Sequence, residues 1–246
     1  MSYRVLSADD IKSFPLPTWL VHRIIPDNSL AVLYGAWGIG KSFIALDLAH
    51  SVAAGIRWLG QRTRQGPVVY VAAGEGVRGL RPRIEAWEQD RRRLITDVSY
   101  IPEAVLLHQS TSVHSFLRVV KPLEPSLVVF DTLARCFTGG NENTVEDMGK
   151  VIGAADEIRA QTDAAVLLLH HTGRPDDEGN AHERGSSALP AAADMMAELA
   201  AGDTPDTRTL CCRKMKDAGA FYPVKIRLKK IRKRGMSDSL VPVHDP

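Results

Sequence analysis

Gly35-Ala36-Trp37-Gly38-Ile39-Gly40-Lys41-Ser42 is the stretch that decides the fold. It matches G-x-x-x-x-G-K-[ST] at every fixed position. Before it, Leu30-Ala31-Val32-Leu33-Tyr34 is a short apolar run expected as a buried strand. After it, Phe43 to Ala54 reads as a helix ended by Gly55. Strand, glycine-rich loop and helix in this order make a phosphate-binding loop rather than an incidental glycine turn. Gly35, Gly38 and Gly40 let the backbone curl so that its N–H groups face phosphate oxygens. The helix beginning near Lys41 adds the positive end of its dipole. Lys41 is placed to reach the β- and γ-phosphates, and Ser42 to ligate Mg²⁺. Residues Gly35, Ala36, Trp37, Gly38, Ile39, Gly40, Lys41, Ser42 and Phe43 are therefore the candidate nucleotide contacts.

The 246 residues suit one large α/β domain or two small ones. A net charge of +2 gives no global attraction to nucleic acid, so any basic surface is local. Cys136, Cys211 and Cys212 have neither disulfide nor zinc spacing, which suits a reducing cytosol, and a cytoplasmic location is expected. The N-terminus carries no apolar signal region. No apolar run approaches the roughly 18 residues of a membrane span, so no membrane partner is expected.

Residues 1–28, interrupted by Pro15, Pro17 and Pro26, read as an N-terminal arm whose Trp19-Leu20-Val21 docks on the core. Residues 29–246 read as one ATPase domain. Strands are expected at Val68–Ala72, Val98–Ile101, Leu127–Asp131 and Ala165–His170. Helices are expected at Arg78–Arg93, Ser112–Val120 and from Thr144 to about Gln161, and residues 172–187 as a mobile polar loop. Strands follow at Asp194–Leu199, Thr207–Lys214, Phe221–Lys230 and Leu240–Val243. Alternating strands and helices, then consecutive strands, predict an α/β fold. Its mainly parallel twisted sheet is flanked by helices and carries an antiparallel C-terminal extension.

Several residues could complete the phosphate site. Asp131 ends an apolar strand, where a buried carboxylate needs a cationic or hydrogen-bonding partner, and Mg²⁺ shared with Ser42 supplies one. Glu75 follows the second strand of the alternating run, at the sheet end where ligands bind. It reads either as the group that orients the attacking water or as a surface-loop Glu. His170-His171 ends a strand, and His171 could face the γ-phosphate. With His182 the pair fits no common zinc spacing. Lys214 and Lys216 alternate at a strand end. They could reach the nucleotide of a neighbouring subunit, or simply guard a solvated edge. The run from Lys225 to Arg234 could grip phosphates or form the charged outer face of an edge strand.

Taken together these stretches resemble the RecA-like hexameric helicase group, most closely the RepA-type replicative helicases of plasmids and phages. The resemblance covers about residues 17–230. It rests on Trp19-Leu20, Leu33-Tyr34-Gly35, Gly40-Lys41-Ser42, Ala45-Leu46-Asp47 and Ala54-Gly55. It continues in Val69-Tyr70-Val71-Ala72 with Glu75 and Gly76, in Arg83-Ile84, and in Asn141-Glu142-Asn143 with Glu146-Asp147-Met148. Its most specific later motifs are His170-His171-Thr172-Gly173 and Arg184-Gly185-Ser186-Ser187-Ala188-Leu189 with Ala193-Asp194.

The resemblance implies ATP and Mg²⁺ as cofactors. It implies that Lys41 and Ser42 hold phosphate and metal, Glu75 activates water, Asp131 supports Mg²⁺ and His171 senses the γ-phosphate. Lys214 and Lys216 match cations that enter the next subunit's site. The loops at about 137–144 and 172–187 match DNA-facing loops, with Arg174, His182 and Arg184 as contacts. The expected protein is an ATP-driven translocase on single-stranded DNA, a homo-oligomeric ring, hexameric by resemblance, with a replication initiator or primase as a further partner. A RecA/RadA-like recombination ATPase and a DNA-binding ATP switch remain as rivals. Three departures stand out. Lys216 replaces a frequent Arg, a point charge instead of a bidentate fork. Pro190 is expected to shorten the helix after the Arg-Gly-Ser-Ser-Ala-Leu motif. No primase or collar domain is seen in the sequence.

Overall fold

The computed structural model describes residues 4–74, 76–171, 186–232 and 238–245. Along the chain come α1 (Ala8–Ser13), β1 (Trp19–Val21), β2 (Ile25–Pro26), β3 (Leu30–Gly35), α2 (Lys41–Ala54), β4 (Val68–Val71) and α3 (Gly76–Arg91). Then follow β5 (Val98–Ile101), α4 (Ser110–Val120), β6 (Leu127–Phe130), α5 (Val145–Thr162), β7 (Ala165–His171) and α6 (Ala188–Ala192). Four strands end the described chain: β8 (Met195–Ala201), β9 (Thr207–Met215), β10 (Val224–Ile231) and β11 (Ser239–His244).

Among the described residues nine strands form one sheet in the order β11-β10-β9-β8-β3-β7-β6-β4-β5. From β8 to β5 the strands run parallel. β9, β10 and β11 add to it antiparallel. The alternation of helices and strands dictates the first part, because a parallel crossover needs an intervening helix. The consecutive strands dictate the second.

Alternate residues of each strand enter opposite layers, as the twofold period of a strand requires. On β3, Ala31 and Leu33 pack with α2 and with Leu20, Val21, Ile24 and Ile25 of the β1–β2 hairpin. Leu30, Val32 and Tyr34 pack on the other face with α4, α5 and Leu189 of α6. α2 is buried nearly all round, because a smaller cluster of Trp87, Ile231 and Val241 closes over its far side. By contrast α1 buries no residue at all.

The structure corrects one expectation. The basic run is not an edge strand: β10 is paired on both sides, by β9 and by β11, which takes the outer position. Three of its cations are matched to acids. Arg227 pairs with Asp245, Lys229 with Asp90 at 2.8 Å, and Lys230 with Asp238 at 2.7 Å. Pro190 does lie in a short helix, α6, five residues long.

Candidate nucleotide site

Six parallel strands ending on one side leave a crevice beyond their carboxyl ends. The loop after β3 lies there, and α2 begins at Lys41 with Gly40 in the left-handed region (φ 106°) at its N-cap. That conformation favours glycine. Gly35 is required for a different reason: a Cβ there would stand 2.5 Å from the backbone oxygen of Leu199 on β8. Two of the motif's glycines thus answer to the fold that holds the loop.

Lys41 is buried, 5 % exposed. Its ammonium donates to the carbonyls of Gly35 (2.8 Å) and Ala36 (2.9 Å) and lies 3.3 Å from Nδ1 of His171. Burial pulls its pKa down to about 8, and the Asp131 charge opposes that shift. Asp131 continues the ladder after β6, its N–H donating to the carbonyl of Val71. Its carboxylate accepts from the Tyr70 hydroxyl at 2.7 Å. Burial pushes this carboxyl up, while hydrogen bonds from Tyr70 and Ser42 and the charges of Arg83 and Lys41 hold it down. Ser42 and Asp131 therefore bring a hydroxyl and a strongly desolvated carboxylate together beside the phosphate loop. This donor set suits Mg²⁺, which takes one or two protein oxygens and completes its shell with phosphate and water.

A cleft of about 570 Å³ opens over these groups, lined also by Trp37, Phe43, Arg83, Arg135 and Thr138. The Arg83 guanidinium lies 4.2 Å from the centre of the Phe43 ring. It projects from α3, the helix that follows Gly74, which also lines the cleft. Arg83 entered the sequence reading only as part of a matching string. Its signal was the arginine-rich face of a helix directly after a strand end.

A profile of AAA domains matches residues 2–177 of this chain. The chain belongs to the AAA domain family. Solved structures share its fold, which is RecA-like. A KaiC-like protein of the hyperthermophilic archaeon Pyrococcus horikoshii OT3 superposes with a TM-score of 0.61 at 16 % identity, over 91 % of this chain and 94 % of that one. The RadB recombinase gives 0.59 at 14 % identity, over 82 % and 88 %. The flagellar accessory protein FlaH of Methanocaldococcus jannaschii gives 0.56 at 12 % identity, over 90 % and 91 %. P-loop ATPases of this family generally bind ATP with Mg²⁺.

The remaining sequence-derived residues separate into three sets. Glu75, Arg174, His182 and Arg184 lie outside the described residues. Lys214 and Lys216 lie at the far end of the sheet from the AAA domain's own phosphate loop. Lys214 donates to the carbonyls of Pro190 (2.7 Å) and Ala191 (2.9 Å), closing the end of α6. Lys216 pairs with Asp194 at 3.4 Å, and Asp194 also accepts from the backbone N–H of Leu30 at the start of β3. Leu30 and Gly35 bound β3, so the two ends are about 16 Å apart along the strand.

The third set is the pair of expected DNA-facing loops. The described end of the second touches the first, since the N–H of Ser186 donates to the carbonyl of Glu142 at 2.9 Å.

Sequence reasoning missed Arg208. It lies at the opposite end of β9 from Lys214, and its Nε donates to the Ile39 carbonyl of the phosphate loop at 2.7 Å. No local motif marks it. Its contact exists because β9 is laid beside the loop by the non-local pairing of β8 with β3.

Proposed function

We propose that this AAA domain is an ATP-hydrolysing motor of the RepA helicase type, a ring that moves on single-stranded DNA and separates duplexes. The hexameric ring and the DNA track follow from the sequence resemblance. Hydrolysis is supported by the meeting of Lys41, Ser42, Asp131 and His171 in one cleft. Glu75 is the group proposed to activate water, and Arg174, His182 and Arg184 to contact DNA.

The observation that carries the ring is the placement of Lys214 and Lys216. They stand at the sheet end remote from their own nucleotide cleft, so they could complete a site only in another copy. A cation supplied in trans to transferring phosphate is worth on the order of 10³–10⁵ in turnover.

The test is complementation. Lys41→Ala chains lack a working cleft, and Lys216→Ala chains lack the donated cation. Each alone is inactive in steady-state ATPase with single-stranded DNA. Mixed, Lys216→Ala clefts facing Lys41→Ala neighbours recover activity. No recovery on mixing, together with full activity of Lys216→Ala alone, rejects the ring motor.

A second reading is a recombination ATPase that forms filaments. The RadB recombinase shares this fold, and filament and ring both place nucleotide between copies. Electron microscopy of the ATP-bound assembly separates open helical polymers from closed rings. ATP turnover that single-stranded DNA does not stimulate would favour an ATP switch over both.

A further inference from the structure

Among the described residues three cations line the nucleotide cleft: Lys41, Arg83 and Arg135. Two of them already have partners. Lys41 donates to the carbonyls of Gly35 and Ala36. Arg83 lies over the Phe43 ring. Arg135 is exposed, and among the described residues its guanidinium has neither a hydrogen bond nor an ion pair. Asp131, the one described carboxylate lining the cleft, accepts instead from the hydroxyls of Tyr70 and Ser42.

The Arg135 side chain is unpaired, but its backbone is firmly held. The N–H groups of Arg135 and Cys136 both donate to the Thr132 carbonyl, at 3.0 and 3.2 Å. Leu133 donates to the Leu169 carbonyl of β7 at 2.8 Å, and the Cys136 carbonyl accepts from Leu107 at 2.9 Å. The Arg135 carbonyl accepts from the Thr138 hydroxyl at 3.1 Å. Leu133, Cys136 and Phe137 are buried in the core, so the turn presents Arg135 to the cleft. Its stem lies beside the end of β4: a Cβ on Gly74 would stand 4.0 Å from Cγ of Arg135 and 3.9 Å from the Asp131 carbonyl oxygen. A fixed backbone carrying an unsatisfied planar fork of donors is suited to capturing an anion.

We propose that Arg135 binds the γ-phosphate of ATP held in its own chain's cleft and stabilises the phosphoryl group during transfer. The proposal deepens the ATPase reading and rests on it. Lys41 is the group that reaches the β- and γ-phosphates, and Asp131 the carboxylate suited to the metal that bridges them. Arg135 stands on the turn that directly follows Asp131, so it meets the last phosphate. In hydrolysis a water oxygen bonds to the γ-phosphorus as the bond from that phosphorus to the β–γ bridging oxygen breaks. The bridging oxygen leaves with the electron pair as part of ADP, and the water's proton passes to Glu75, the group proposed above to activate it. Arg135 exchanges no proton. It stays a cation and donates hydrogen bonds to the γ-oxygens, over which charge is spread in the transition state.

The test compares Arg135→Ala and Arg135→Lys with wild type in the full chain. Equilibrium titrations use ADP and the non-hydrolysable triphosphate AMP-PNP, each with Mg²⁺. Arg135→Ala should bind ADP within about twofold of wild type, which also reports a retained fold, and AMP-PNP about tenfold or more weakly. Its single-turnover ATP hydrolysis with single-stranded DNA should fall about 10²–10³-fold. Arg135→Lys should recover AMP-PNP affinity but little of the rate, because an ammonium is a point charge and not a fork. Mixing gives the last arm. Lys41→Ala and Arg135→Ala damage the same cleft, so the two variants should not complement each other.

Equal losses of ADP and AMP-PNP affinity overturn the proposal, because ADP has no γ-phosphate. So does slower hydrolysis with both affinities unchanged, which makes Arg135 a positioning residue for Glu75 instead. Recovery on mixing with Lys41→Ala chains moves Arg135 to a neighbour's site and overturns the contact within its own. A wild type that binds AMP-PNP yet never hydrolyses ATP rejects the ATPase reading, and the ratio of the two affinities then decides the phosphate contact alone.

Discussion

The ammonium of Lys41 stands 3.3 Å from Nδ1 of His171, because β3 and β7 pair with Gly35 directly opposite His171. The loop folds Lys41 back onto the Gly35 carbonyl, and sheet register sets His171 opposite that glycine, so loop conformation and register together set their separation. A His171→Ala chain should bind nucleotide within a few-fold of wild type yet turn it over at least tenfold more slowly. Equilibrium binding and steady-state ATPase on the same preparation separate the two effects.

The lowered pKa of Lys41 gives nucleotide binding its own pH dependence. The free protein begins to lose the ammonium proton near pH 8, whereas bound phosphate favours the charged form. Affinity is therefore full below pH 8 and falls as pH rises above it, by up to about tenfold per unit. Calorimetric titration between pH 7 and 9.5 measures this, and Lys41→Arg should flatten the profile while binding more weakly overall.

Asp131 and Tyr70 form a buried pair whose loss is readable in stability. Tyr70→Phe leaves the carboxylate without the hydroxyl it accepts from at 2.7 Å. The expected cost is about 1–3 kcal/mol, seen as a lower urea midpoint with an unchanged slope. Asp131→Asn should keep the fold and abolish the Mg²⁺ dependence of nucleotide binding.

Gly35→Ala should fail where most surface alanines succeed. The added methyl would meet a backbone oxygen of β8 at 2.5 Å, and neither strand can yield without breaking the pairing of β3 with β8. Nucleotide binding should drop at least tenfold, with a lowered melting temperature. A Gly149→Ala control, where a Cβ meets nothing within 4 Å, should be neutral or slightly stabilising.

A second buried acid, Asp47 of α2, gives a pH signature away from the cleft. It accepts from the Trp87 indole (2.8 Å) and Arg91 (3.1 Å), yet burial still raises its pKa to about 6. The folded state thus holds a proton that the unfolded chain, with its ordinary value of 3.8, has released. Between pH 4 and 6 the native state binds more protons, so this group's contribution to stability falls as pH rises through that window. The full change is about 3 kcal/mol. Denaturation at pH 4, 5, 6 and 7 should show the slope, and Asp47→Asn should remove it.

The phosphate loop and its helix were legible because their chemistry is local: glycines, a lysine and a hydroxyl at fixed spacing. The parallel sheet was legible because buried strands read as continuous apolar runs, as at Leu127–Phe130 and Ala165–Leu169. What stayed hidden depends on pairing between distant segments. Tyr70 read as one more strand residue, and only the adjacency of β4 and β6 turns its hydroxyl onto Asp131. The inner position of β10 required knowing that Ser239–His244 pairs outside it. Asp194 read as part of a motif, but its hold on Lys216 and on the start of β3 belongs to the end of the assembled sheet.

Strand β9 acts as a ruler. At one end Arg208 grips the phosphate loop, and toward the other Lys214 seals α6, with Lys216 just beyond. One residue inserted between them would turn every later side chain to the opposite face. It would also lift Lys214 off its carbonyls and shift Lys216 by about 3 Å. The interval already holds one bulge, since Met196 pairs with Lys214 and Ala197 with Cys212, so the reach of Lys214 and Lys216 is set by that irregularity together with the length of the strand.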